Sequence, residues 1–301
     1  MQITHQKKVL LAELALLAAG AIWGSGFVVM KNSLDSLPVN YLLAFRFTIA
    51  AVVFSLISIK RFRGVTWKTV GAGAACGAMM FLAYCVQTYG LSFTTSGKNA
   101  FLTAVYVVIV PFLYWLLYRR KPGRQNVLAA VLCLAGVGLV ALDSDFSVNI
   151  GDALTLLCGV LYAVHIILVS HFTTQGEDVM TLTLFQFLFS ALCAWVAAAL
   201  FEPFPTAAFS QPGAMFSLGY LGLICTLVAL TLQNVGIKYA PPSHASLLMS
   251  TEAPFGCLFG ILLLGEPFTL KFALGFLLIA GAIVLSELGG RKGQPQPCEE
   301  Q

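Results

Sequence analysis

Gln87-x-x-Gly90-Leu91-x-Phe93 returns as Gln233-x-x-Gly236-Ile237-x-Tyr239, 146 residues further along a chain of 301 residues. Four other short matches flank this one in the same order. Gly20-x-x-Trp23 pairs with Gly159-x-x-Tyr162, Phe45-Arg46-Phe47 with Phe185-Gln186-Phe187, Pro111-Phe112 with Pro254-Phe255, and Ala135-Gly136 with Ala280-Gly281, at offsets of about 139 to 146. Five weak matches in series, one per apolar segment of each half, predict an internal repeat: residues 1–145, residues 146–290, and a tail at 291–301.

The repeat unit is read from the segments that carry these matches. Ten apolar stretches lie near 10–31, 38–59, 69–90, 97–118, 126–143, 151–171, 180–201, 213–236, 243–264 and 270–288. Lengths of about 20 residues exceed any soluble strand and suit a helix that crosses about 30 Å of hydrocarbon with its backbone bonded internally. Composition agrees, with 58% hydrophobic and 10% charged residues, whereas a soluble domain carries roughly 25% charge. A net charge of +4 without a long basic run excludes a nucleic-acid binder. Seven of the eight cysteines lie inside apolar runs without metal spacing and read as small buried hydrophobes. The first apolar run continues to Met30, past the small triplet Ala19-Gly20-Ala21, and reads as a spanning helix rather than a cleaved signal. Five helices per half is an odd number, so the second copy is expected upside down relative to the first. The predicted fold is an all-α integral membrane protein of ten transmembrane helices, two inverted five-helix repeats around a central cavity, with the site near the midplane where the copies meet.

Basic residues orient the bundle, because cytoplasmic loops accumulate them. With the N-terminus inside, the inner segments hold Lys7, Lys8, Lys60, Arg61, Arg63, Lys68, Arg119, Arg120, Lys121, Arg124, Lys238, Arg291 and Lys292, and the outer ones only Lys31, Lys98 and Lys271. Both termini are expected to be cytoplasmic.

Trp23-Gly24-Ser25-Gly26-Phe27, Arg46, and the stretch Glu252-Ala253-Pro254, Leu264-Gly265-Glu266, Gly275 and Leu278-Ile279-Ala280-Gly281 give the whole chain a pattern that resembles the drug/metabolite transporter superfamily, in its ten-helix EamA-like permease branch. The family commonly sets its helix-nine acid directly before the proline, and here Ala253 intervenes. The resemblance implies export or uptake of small metabolites by alternating access around a central cavity.

Enzyme motifs do not survive inspection. Ser96-Gly97-Lys98 lacks the glycine spacing and the hydroxyl of a phosphate loop, and His165 and His171 do not share a helical face. No cofactor or metal is expected. Ionisable residues within spans are costly and mark functional candidates. Glu252 sits mid-helix beside Pro254, whose missing N–H is expected to leave the Ser250 carbonyl free and to form a hinge mirrored by Pro111 in the fourth span. Its alternative role is that of a carboxylate neutralised by a neighbour such as Arg46. Lys98 either snorkels to the interface or meets an anion at the cavity mouth, and Arg46 is either an ion-pair partner or a substrate contact. Asn99, Thr103 and Tyr106 continue from Lys98 down one face. Gln87 and Gln233 hydrogen-bond a substrate or tie helices together. Trp23, Tyr84, Tyr106 and Tyr162 are candidate walls, and His165 is a candidate titrating group or a satisfied interior histidine. Gly20/Gly24, Gly73/Gly77 and Gly256/Gly260 read as close-packing pairs.

The expectation is a secondary transporter in a bacterial cytoplasmic membrane whose partners are the lipid bilayer, a small-molecule substrate and protons through Glu252 or His165. No nucleic acid is expected, and no oligomeric state is read from the chain. The substrate is expected to be an amino acid or a related compound moved outward. The alternatives are sugars, nucleosides or phosphorylated metabolites, and more remotely a membrane-embedded enzyme or structural subunit. A cysteine replacing Arg63 should react with an impermeant thiol reagent from the cytoplasm only, with a cysteine at Asp145 as the comparison for the other face; labelling of the Arg63 site from outside would reverse the orientation.

Overall fold

Apolar runs of this length leave no polar surface for backbone groups, so each run satisfies its own N–H and C=O groups as a helix. The computed structural model describes residues 5–59, 65–119, 121–141 and 149–293. Lys60, Arg61, Arg63, Arg120, Asp145, Cys298, the repeat boundary and residues 294–301 of the tail lie outside the described residues. The helices are α1 (His5–Ser33), α2 (Val39–Ile57), α3 (Trp67–Phe93), α4 (Ser96–Thr103), α5 (Tyr106–Tyr118), α6 (Arg124–Ala141), α7 (Ile150–Thr174), α8 (Val179–Phe201), α9 (Pro212–Gly219), α10 (Ala229–Tyr239), α11 (Pro242–Met249), α12 (Glu252–Leu264) and α13 (Leu270–Gly293), and no strand occurs among the described residues. Among the described residues, eight continuous or broken helices are long and apolar enough to cross a membrane. The shorter apolar helices Arg124–Gly136 and Leu270–Ala282 occupy the fifth and tenth expected spans. Connections at 34–38, 94–95, 175–178, 240–241 and 265–269 are too short to recross a bilayer, so the chain reverses at each.

Local chemistry sets the ends. The Thr66, Thr95, Asn149 and Asp178 side chains accept the first-turn N–H groups of Thr69, Lys98, Gly151 and Thr181, each capping a donor the helix cannot satisfy itself. Gly265, at φ 66°, closes α12 in the left-handed conformation that glycine alone takes without penalty.

Two spans are broken near their middles. The fourth stops at Thr103 and restarts at Tyr106, and the ninth stops at Met249 and restarts at Glu252. These breaks lie 146 residues apart. The prolines stand beside these breaks and not at them. Pro111 lies inside α5, several residues beyond its break. Pro254 lies in the first turn of α12, where a missing N–H costs nothing. The Ser250 carbonyl is not free: it accepts the Ala253 N–H at 3.0 Å in a tightened turn. A π-helical stretch, Tyr220–Val228, joins α9 to α10 in the eighth span. There the Thr226 hydroxyl donates to Leu221 O at 2.7 Å.

The breaks sit where a glycine from another helix presses on them. A Cβ on Gly20 of α1 would strike the Thr251 hydroxyl and come within 2.9 Å of Met249 O and 3.2 Å of Glu252 N. Gly159 of α7 does the same to the other break, meeting the Val105 side chain and approaching Thr103 O to 3.1 Å and Tyr106 N to 3.6 Å. Each partner of Gly159 lies 146 residues before the corresponding partner of Gly20, so one contact is made twice, once from each half. The helix ends repeat this correspondence. Lys98 Nζ lies 3.2 Å from Asp152 Oδ2, and His244 Nε2, at the equivalent position of the ninth span, lies 3.1 Å from Glu13 Oε1. Close packing of Gly73 and Gly77 on Phe185, Gln186 and Ser190 joins α3 to α8.

Gly20→Ala and Gly159→Ala should each lower the thermal midpoint of the detergent-solubilised protein, in line with the roughly 1–3 kcal/mol of an overpacked core. Gly71→Ala, with nothing within 4 Å of the added carbon, should leave it unchanged. Equal midpoints for all three would show that the seam tolerates side chains.

Candidate functional site

The seam delivers two side chains to one place. Tyr106 is the first residue of α5 and Glu252 the first of α12, so both stand where a restarted helix points into the bundle. Both line a cavity of about 500 Å³ of non-atom space, counting that at its open mouth, a size in the range of small-molecule sites. Glu252 is 5% exposed and Tyr106 is 3% exposed. The Glu252 carboxyl faces the Tyr106 hydroxyl, and neither Glu252 Oε1 nor that hydroxyl completes a hydrogen bond of good geometry. An unpaired buried carboxylate oxygen is costly, and such a cost is retained where a ligand satisfies it.

Arg46, on α2, supplies the opposite charge and is 2% exposed. Its Nε–H donates to Thr226 Oγ1 at 2.8 Å and its Nη1 approaches Met30 Sδ at 3.6 Å. The guanidinium carbon stands 4.6 Å from the centre of the Tyr84 ring, a cation–π arrangement that partly offsets the loss of water. No ion pair joins Arg46 to Glu252 or to any other carboxylate among the described residues. The π-helical stretch brings Thr226 to this position, and it also presents the Cys225 carbonyl, which accepts the Trp23 indole N–H at 2.8 Å. The sequence reading does not anticipate this stretch, because one surplus residue in an apolar run leaves no mark in composition.

The aromatic walls are held by one another and by amides. Tyr84 and Tyr162 meet edge to face at 5.4 Å. The Tyr162 hydroxyl donates to Gln87 Oε1 at 3.0 Å, and Gln87 Nε2 donates to Thr103 Oγ1 at 3.0 Å. Gln87 thus ties three helices while it lines the cavity. Gln233 lines it too, with its Nε2 3.5 Å from His165 Nδ1.

Of the ten substrate-contact residues expected from sequence, Trp23, Arg46, Tyr84, Gln87, Tyr106, Tyr162, Gln233 and Glu252 line this one cavity. His165 stands behind Gln233, fully buried, with its imidazole facing Gln186 and no completed hydrogen bond at Nε2. Lys98 lies elsewhere, against Asp152, whose other carboxylate oxygen accepts the Thr94 hydroxyl at 2.6 Å. Asp152 escapes the sequence reading because it stands 54 residues from its lysine. No group of three or more histidine, cysteine or acidic side chains suited to a metal occurs among the described residues.

Comparison with known proteins extends the geometry. A model of the EamA-like transporter family matches residues 10–142 and again residues 149–288. An uncharacterized transporter of Archaeoglobus fulgidus is 31% identical over 281 residues, covering 93% of this chain and 87% of its own. The uncharacterized transporter YetK of Bacillus subtilis is 25% identical over 321 residues, covering 98% of this chain and 92% of its own. A protein crystal structure with 17% identity superposes with a TM-score of 0.73 over 93% of this chain and 99% of that one, a likeness of fold. The chain belongs to the EamA-like transporter family and is a multi-pass membrane transporter.

Proposed function

We propose that this transporter carries small zwitterionic metabolites, amino acids or closely related compounds, out of a bacterial cell, by alternating access to the cavity between its two halves. One observation carries the reading: a single cavity holds a buried cation, Arg46, and a buried carboxyl, Glu252, that do not pair with each other. A substrate carboxylate placed on Arg46 forms a charge-assisted pair, and a substrate ammonium placed on Glu252 satisfies the oxygen that lacks a partner. The faces of Trp23, Tyr84 and Tyr162 contact the apolar part of the substrate. A phosphorylated metabolite calls for two or more fixed cations, and the described cavity holds one, since Lys98 is engaged with Asp152.

The duplicated seam supports alternating access. The same backbone contact closes each broken helix, so the two halves exchange roles by small shifts about Gly20 and Gly159 while the site stays at the midplane. Glu252 accepts a proton when the ammonium leaves, which couples substrate movement to a proton gradient. Both termini face the cytoplasm in this reading.

Amino acids should raise the melting midpoint of the purified protein, because a ligand at a hundred times its Kd stabilises by about 2.7 kcal/mol; sugars and nucleosides should not. A midpoint raised only by sugars, nucleosides or phosphates would overturn the zwitterion reading. In proteoliposomes, Glu252→Gln and Arg46→Met should each reduce flux at least tenfold with the folded yield retained, and the Glu252→Gln residue should lose its response to a pH gradient. Wild-type flux in both variants would place the site elsewhere.

A further inference from the structure

The cavity is not symmetric between the halves, although the frame around it is. Four repeat pairs contribute both members to its wall, among them Trp23 with Tyr162, Gln87 with Gln233 and Tyr106 with Glu252. Arg46 is different. It lines the cavity, whereas its counterpart Gln186, in the matching Phe-x-Phe setting, is fully buried outside it. The side chains occupy equivalent surroundings all the same. Arg46 donates to Thr226 at 2.8 Å, and Gln186 Nε2 approaches Met80 Sδ at 3.0 Å, with Thr226 and Met80 146 residues apart.

Gln186 belongs to a closed polar cluster behind Gln233. Asn234 Nδ2 donates to Thr183 Oγ1 at 2.9 Å and to Gln186 Oε1 at 3.1 Å. His165, whose counterpart Gly26 lines the cavity, borders Gln233 from this side. All four of His165, Gln186, Thr183 and Asn234 are fully buried. Asn234 Oδ1 has no hydrogen-bond partner, and His165 Nε2 completes none of good geometry although the Gln186 side chain faces the imidazole. A polar cluster that serves only to join helices closes its own bonds, because an unmade buried bond costs about 1–3 kcal/mol. Such orphaned atoms otherwise occur at Asn99 and in the cavity itself, at Tyr106 and Glu252.

We propose that His165, Gln186 and Asn234 form a second substrate station, closed in this structure and opened when the halves exchange conformations, so that a substrate passes from a wall carrying the Arg46 cation to one of neutral amides and an imidazole. The proposal rests on the alternating-access reading above. Its chemical consequence is directional. A carboxylate has a cationic partner at one station and only hydrogen-bond donors at the other, so the two orientations of the transporter hold the same substrate with unequal affinity. The uncharged station lies toward the membrane face that carries the N-terminus, since Gln186 falls early in α8, which starts at that face, while Arg46 falls early in α2, which starts at the opposite one.

Accessibility tests this without knowledge of the substrate. Arg46→Cys and Gln186→Cys proteins in native membranes are treated with an impermeant maleimide from each face, and modified peptides are mapped by mass spectrometry so that the native cysteines serve as internal controls. The Gln186 site should label from the N-terminal face only and the Arg46 site from the opposite face only. Prior modification of one site in the Arg46→Cys/Gln186→Cys double variant should reduce labelling of the other at least fivefold. Absence of label at position 186 while position 46 reacts, or reaction of both from one face, overturns the second station. Should Gln186→Cys fail to fold, Thr183→Cys reads the same cluster. Flux separates this from failure of the substrate assignment: Gln186→Ala should slow transport at least tenfold while leaving the ligand-induced rise in melting midpoint intact, whereas Arg46→Met loses both. If no zwitterion shifts the midpoint yet opposite-face labelling holds, the substrate assignment fails and the second station stands.

Discussion

Everything in this molecule depends on two glycines that let helix backbones touch. Gly20 lays α1 on the junction of α11 and α12, and Gly159 lays α7 on the junction of α4 and α5. In hydrocarbon there is no hydrophobic force to bring helices together, so association comes from close packing of atoms and from polar contacts between helices. Missing side chains at these two points give the closest packing available. The chain spends that proximity on the two places where its helices are interrupted, and the interruption in turn aims Tyr106 and Glu252 inward. The breaks are tolerated at membrane depth because their backbone stays bonded in tightened turns: the Val107 N–H donates to Ala104 O and the Ala253 N–H to Ser250 O, each at 3.0 Å.

Arg46 shows how a charge is kept in such a place without being cancelled. Removing an ion from water costs several kcal/mol even after relaxation, and a permanent carboxylate neighbour would recover most of that. The protein instead surrounds the guanidinium with a hydroxyl, a thioether and the face of Tyr84. These contacts are individually weak, so the cation remains available. Glu252 is treated in the same way, facing the Tyr106 hydroxyl with no completed hydrogen bond at Oε1. Restraint in satisfying both groups distinguishes this cavity from the closed contacts at the helix ends, where Lys98 meets Asp152 and Glu266 accepts the N–H groups of Ser96 and Gly97 at 2.7 and 2.9 Å.

Much of this is legible in the sequence, and the rest is hidden for definable reasons. Spans are legible because hydrocarbon demands about 20 apolar residues in a row, and that demand leaves a long, unambiguous trace. Eight cavity residues are legible because polar and aromatic groups are rare inside such runs. Proline points to the two broken helices but misplaces the breaks, since it reports a missing N–H and not the glycine of a distant helix that decides where the chain yields. Lys98 reads as a cavity residue for the same reason: its partner Asp152 is remote in sequence. The π-helical stretch at Tyr220–Val228 leaves no pattern in an all-apolar segment, yet it places Thr226 under Arg46.

A contact in which one helix shows only backbone has a mechanical character of its own. Interlocked side chains act as cogs: to move one helix past another, each must climb out of the notch it fills. At Gly20 and Gly159 one of the two surfaces carries no cog: only Thr251 and Val105 present a side chain, each to a bare stretch of backbone. The duplicated seam is therefore a pair of half-toothed contacts, close enough to resist separation and with one smooth face each, set alike in the two halves.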